Sequence, residues 1–95
     1  MRWKYSISVQ EHQLVYQESV LARIQMLPKK RGGYKVTTLI SGIYFGAKKQ
    51  KYLEKRNREW VAYRKKFHKK ENAERYISRK KAEVLRFIKA REKEG

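Results

Sequence analysis

Apolar and polar residues alternate one by one at the start of the chain, with Trp3, Tyr5, Ile7 and Val9 set against Lys4, Ser6, Ser8 and Gln10. A period of two sends successive side chains to opposite faces, so this stretch predicts a strand with one buried face. Residues 10–13 are polar enough to turn, and Leu14-Val15-Tyr16 then pairs back as a second strand; a short helix through residues 10–19 competes with that reading. Val20, Ala22, Ile24 and Met26 resume the alternation until Pro28-Lys29-Lys30-Arg31-Gly32-Gly33 interrupts it. Proline removes a backbone donor and paired glycines accept positive φ, so this hexapeptide predicts a hairpin loop. Tyr34, Val36, Thr38 and Ile40 share one face of the next strand, whose end Gly42 and Gly46 frame as bulge and stop.

The pattern changes after residue 46. Lys, Glu, Arg and Ala dominate, with no proline and no further glycine before Gly95, so summed helix propensity is high. Ala73, Ile77, Val84, Leu85 and Ile88 fall on one helical stripe, with glutamates near its start and bases near its end, as the macrodipole favours. This predicts a helix over 71–93, capped by Asn72 after a break near 68–72. Residues 47–70 read two ways. Leu53, Trp60, Tyr63 and Phe67 make a helical stripe, while Val61, Tyr63 and Phe67 also fit one face of a last strand across 58–67. The expected fold is α+β in one domain spanning 1–95. A small antiparallel sheet comes from residues 1–46, and one or two basic helices from 47–95 pack on its apolar face, including Trp3, Tyr5, Ile7 and Val9.

Charge narrows the function classes. Lys plus Arg number 26 against nine acids, a net charge of +17, and self-repulsion on that scale calls for a counter-charge. Residues 1–46 hold seven bases (Arg2, Lys4, Arg23, Lys29, Lys30, Arg31, Lys35) and two acids (Glu11, Glu18), so +12 of the total falls in the remainder. All nine acids are glutamate and there is no cysteine. Aspartate-based Mg²⁺ sites, hydrolytic triads with aspartate, thiolate nucleophiles and zinc ribbons are thereby excluded. His12 and His68 stand alone, no phosphate-loop spacing occurs, and no cofactor is implied. The alternating start lacks the apolar core of a secretory leader, and no run approaches membrane-spanning length, so the expectation is a cytoplasmic protein that does not bind membranes.

What remains is non-catalytic binding of DNA or RNA. The residues expected to contact phosphate are the hairpin tip Lys29, Lys30 and Arg31 with Lys35; Arg64, Lys65, Lys66, Lys69 and Lys70, the four lysines forming one ridge at i, i+4 if helical; and Arg79, Lys80 and Lys81. Tyr34 and Tyr44 are the candidates for base stacking, and an exposed aromatic sheet face would favour single strands. Trp60, Tyr63 and Phe67 are assigned to the core. A small phage or mobile-element regulator or a ribonucleoprotein accessory factor would suit this chemistry. The alternative is a basic inhibitor or adaptor gripping an acidic surface of a larger nucleoprotein complex; a membrane-surface helix ranks last, because its apolar stripe is narrow.

Overall fold

The alternating segments pair in the order in which they occur. In a computed structural model that describes residues 1–45 and 60–94, five strands, β1 (Arg2–Ser6), β2 (Glu11–Tyr16), β3 (Ser19–Pro28), β4 (Tyr34–Ser41) and β5 (Trp60–Phe67), form one antiparallel sheet in which every neighbour in space is a neighbour in sequence. A single helix, α1 (Lys70–Glu94), follows, making the fold α+β. The helix reading of residues 60–67 is overturned: Val61, Tyr63 and Phe67 lie on one face of β5, as strand alternation requires. Gly46 and Leu53 lie outside the described residues.

Register fixes the two faces. Trp3, Leu14, Ala22, Ile40 and Val61 make one row across the sheet, and Tyr5, His12, Ile24, Thr38 and Tyr63 the next. Both rows face α1, whose Ala73, Ile77, Val84 and Ile88 are buried at helical spacing. Trp3 sits at the junction of the two apolar clusters, and its indole N–H donates to the Lys81 carbonyl at 3.0 Å. The helix begins at Lys70, with the Ala73 amide donating to the Lys69 carbonyl. Asn72 is therefore inside the first turn and is not the N-cap.

Two turns and a bulge explain where the pattern departs from its simplest reading; residues 11–13, read as a turn or as part of a helix, are instead the start of β2. β1 ends at Ser6 because residues 7–10 turn, closing with Gln10 at φ 50°; Ile7 and Val9 are 83% and 47% exposed instead of lying under the helix. Gln17 and Glu18 both adopt positive φ in the two-residue β2–β3 connection, the geometry that matches the right-handed twist of a hairpin. Between Leu14–Ala22 and Val15–Val20 the register shifts by one, leaving Leu21 as the extra residue of a bulge. Leu21 and Ala22 are both buried as a result, and Val20 moves out of the Ala22, Ile24, Met26 series.

At the β3–β4 hairpin, Gly32 and Gly33 have φ of 93° and 84°. A Cβ on Gly33 would stand 2.6 Å from the Phe67 carbonyl oxygen, whereas one on Gly32 meets nothing within 4 Å. Gly32→Ala is expected to lower stability by about 1–2 kcal/mol, the left-handed backbone cost. Gly33→Ala should cost clearly more, because β5 must also shift; equal chemical-denaturation midpoints for the two variants would contradict the close approach. The Thr38 hydroxyl oxygen is buried with no hydrogen-bond partner among the described residues. Thr38→Val keeps the shape and removes the unpaired group, so it should raise stability by about 1 kcal/mol, read from the same measurement.

Candidate functional site

Because α1 covers one face, strand alternation delivers the opposite set of side chains to the other. That opposite face carries Arg2 and Lys4 from β1, Glu11 and Gln13 from β2, Arg23, Gln25 and Leu27 from β3, Lys35, Thr37 and Leu39 from β4, and Trp60, Arg64 and Lys66 from β5. Leu27, Arg64 and Lys66 are exposed at its hairpin end, whereas Glu11 and Thr37 are buried at its centre. Glu11 is the one carboxylate in the five strands. It is buried and fully engaged: Oε1 accepts from Gln13 Nε2 at 2.8 Å and Arg23 Nε at 2.6 Å, and Oε2 accepts from Gln25 Nε2 at 2.8 Å. Burial pushes its pKa up, but the donated hydrogen bonds and the Arg23 charge outweigh this and hold the carboxyl below its ordinary value. Arg23 also lies 5.6 Å from the centroid of the Trp60 ring. The centre of the face is thus a locked polar cluster in which Arg23 neutralises Glu11.

Toward the β3–β4 hairpin the cations are not neutralised. Lys35 and Lys66 are direct cross-strand partners, and Arg64 is paired with Thr37 two positions along β5. Like charges set opposite one another are unfavourable. Lys29, Lys30 and Arg31 are exposed at the hairpin tip, and the approach of Gly33 to Phe67 and His68 brings the tip to the end of β5. Lys69 and Lys70, also exposed, follow at once. Among the described residues none of Lys29, Lys30, Arg31, Lys35, Arg64 and Lys66 has a carboxylate within ion-pair distance.

The remaining residues expected at a binding surface are dispersed. Lys65 points to the helix side, its ammonium 5.2 Å from the Tyr76 ring centroid and 5.7 Å from that of Phe67, so the lysine ridge expected of a helical segment does not exist. Lys80 lies over the Tyr63 and Tyr76 rings and pairs with Glu83 at 3.4 Å. Lys81 is half-buried on the sheet side of α1, and of that triplet Arg79 alone is exposed. Tyr34 packs into the cluster around Ile24 and Val36. Tyr44 is 8% exposed, and its hydroxyl donates to Glu92 at 2.7 Å; burial first, then that bond and the carboxylate charge, push its pKa up to about 12. Neither ring lies on the face opposite α1, where Trp60 is the one ring among the described residues. Trp60 therefore leaves the helix-side core to which the sequence assigns it.

On the helix side, an open groove of about 360 Å³ is lined by Tyr5, His12, Ile24, Met26, Glu74, Ile77 and Lys81 among others. His12 meets the Tyr5 ring edge-on at 5.0 Å, and burial followed by the Lys81 charge pushes its pKa down. No group of three metal-ligating side chains comes together among the described residues, and no described helix is long and apolar enough to cross a membrane. Comparison with protein-family models, curated proteins and solved structures finds no significant match to any.

The sequence passes over Arg2, Lys4 and Arg23 as members of a cationic face because they are isolated in the chain. The signal that finds them is the polar phase of the strand alternation, which gathers single cations from separate strands.

Glu11 makes the cluster sensitive to acid. Its carboxyl is depressed in the folded state, so the stability it contributes is present above its ordinary value of 4.5 and is lost as pH falls through the depressed value. His12, also depressed, works in the same direction, since protonation below 6.5 favours the unfolded chain. Glu11→Gln should cost about 1–3 kcal/mol at pH 7 and flatten the acid limb of a stability–pH profile; a variant with an unchanged acid limb would show that the cluster does not hold Glu11 ionised.

Proposed function

We propose that this protein binds nucleic acid without catalysis, taking the phosphate backbone across the exposed hairpin end of the sheet face opposite α1. The observation that carries this reading is the cross-strand pairing of Lys35 with Lys66, beside Arg64 and the Lys29–Arg31 tip, with no carboxylate among the described residues to neutralise them. A fold that sets like charges side by side loses stability on its own account, and a bound polyanion removes that loss while releasing its counterions. Lys69 and Lys70 extend the same patch around the end of β5.

The shortage of rings favours duplex over single-stranded nucleic acid. Single-strand binders rely on exposed aromatic rings for successive bases, and on this face Trp60 is half-buried against Arg23. Cations on a sheet suit phosphate oxygens, contacts that position a duplex without reading its sequence.

Titration of matched single- and double-stranded DNA and RNA against salt tests this. Duplex affinity should fall by about a thousandfold or more between roughly 50 and 200 mM salt, and combining Lys35→Gln, Arg64→Gln and Lys66→Gln should make the log–log slope shallower by about 2–3. A shallow slope in the intact protein, or capture of a defined acidic protein unaffected by nuclease, would instead support the adaptor reading.

A further inference from the structure

We infer that the outer face of α1 is a second polyanion-binding surface, built on Arg75, Arg79 and Arg86, and that the protein uses its two opposed cationic faces to join two nucleic-acid duplexes. This rests on the reading above for the nature of the ligand.

The three arginines recur at i, i+4 and i+11, which is close to three whole turns, so they form one line about 16 Å long on the side of the helix away from the sheet. All three are exposed, and Ala82 occupies the i+7 position between them. Two acids flank this line, Glu71 four residues before Arg75 and Glu83 four residues after Arg79, but neither comes within ion-pair distance of an arginine among the described residues. Glu83 pairs with Lys80, Glu92 accepts from Tyr44 at the sheet side, and Glu74 lines the groove against β1–β3. None of the three arginines has a carboxylate within ion-pair distance among the described residues. Arg75 and Arg79 lie one turn apart, a like-charge spacing unfavourable in an isolated helix. Guanidinium groups suit such a line, since each can engage a phosphate through two parallel N–H donors.

The arrangement of the faces determines what two such surfaces do. α1 covers one side of the sheet, so its outer line points away from the surface that carries Lys35, Arg64 and Lys66. A duplex has a persistence length of about 500 Å and does not fold around one small protein to reach both sides without a large bending cost. Two separate duplexes meet no such obstacle. The helix alone, about 10 Å across, keeps polyanions on the two faces apart.

The test uses the full chain, one immobilised DNA duplex and a second, fluorescent duplex in solution. The intact protein should bind the first duplex and co-capture the second. Combining Arg75→Gln, Arg79→Gln and Arg86→Gln should lower co-capture by about tenfold or more while retaining binding to the immobilised duplex through the sheet face. The corresponding Arg→Lys triple, which keeps the charge, should retain co-capture and guards against a folding defect, as does an unchanged thermal melt. Mixing the Gln triple with the Lys35→Gln, Arg64→Gln, Lys66→Gln variant should not restore co-capture, because both faces must lie on one chain. Binding without co-capture by the intact protein, undiminished co-capture by the folded Gln triple, loss of co-capture in the Arg→Lys triple, or restoration on mixing would each overturn the inference. Failure of the intact protein to bind the immobilised duplex at all would instead overturn the nucleic-acid reading beneath it.

Discussion

The contact between one stripe of α1 and one face of the five-stranded meander governs the arrangement of everything else. Ala73, Ile77, Val84 and Ile88 are buried on the helix, and Leu14, Ala22, Ile24 and Ile40 on the sheet, with Trp3 closing the seam between the two apolar clusters. Once that face is committed to the helix, period-two geometry leaves no freedom for the other half of each strand: Lys4, Arg23, Lys35, Arg64 and Lys66 must look away from the core. An antiparallel sheet accepts this readily, since it tolerates one apolar and one polar face. The cationic surface is thus a product of the packing, assembled from residues far apart in the chain.

Much of this organisation is legible in the order of residues. Alternation finds β3 and β4 and assigns Tyr34, Val36, Thr38 and Ile40 to a common face, because their apolar phase is uninterrupted and Pro28 to Gly33 mark the hairpin chemically; of β2 only the apolar half, Leu14 to Tyr16, is legible, its polar half Glu11 to Gln13 reading as a turn. The helix is legible for the same reason, its stripe being regular through Ala73, Ile77, Val84 and Ile88. What is not legible are turns made by residues without turn chemistry. Gln10, Gln17 and Glu18 take positive φ that their side chains do not advertise, and the first of these turns removes Ile7 and Val9 from a strand whose pattern runs straight through it. The Leu21 bulge is hidden likewise: an extra apolar residue in an apolar strand leaves no trace in its composition.

The proposed binding surface is harder to read than the fold. Runs of basic residues attract notice, yet a run on a strand is divided by the pleat: Lys65 goes to the rings of Phe67 and Tyr76, and Lys66 to the opposite face. A run on a helix is divided by the turn, so Lys80 and Lys81 go inward and Arg79 stays out. The cations that gather in space, Lys35 with Lys66 or Arg75 with Arg79 and Arg86, are those whose separation matches the period of the element beneath them. Tyr44 illustrates the converse. A ring at the end of a polar strand invites a stacking role, but the short 3-10 turn Gly42–Tyr44 swings it into the core against Glu92.

The bond from the Trp3 indole to the Lys81 carbonyl links residues 78 apart in sequence, while every strand pairing joins consecutive strands. The order of events along a growing chain follows from that difference. The hairpins of β1 to β4 can each close as soon as the second strand is made, with little loop entropy to overcome, whereas β5 pairs with β4 across residues 42–59. The sheet's apolar face, however, stays uncovered until residues 73–88 have been synthesised and folded back onto it. A chain halted before that point is a finished sheet with a bare greasy side and two open edges, which is the form most prone to self-association. Residues 73–88, made after the strands, are what cover that side.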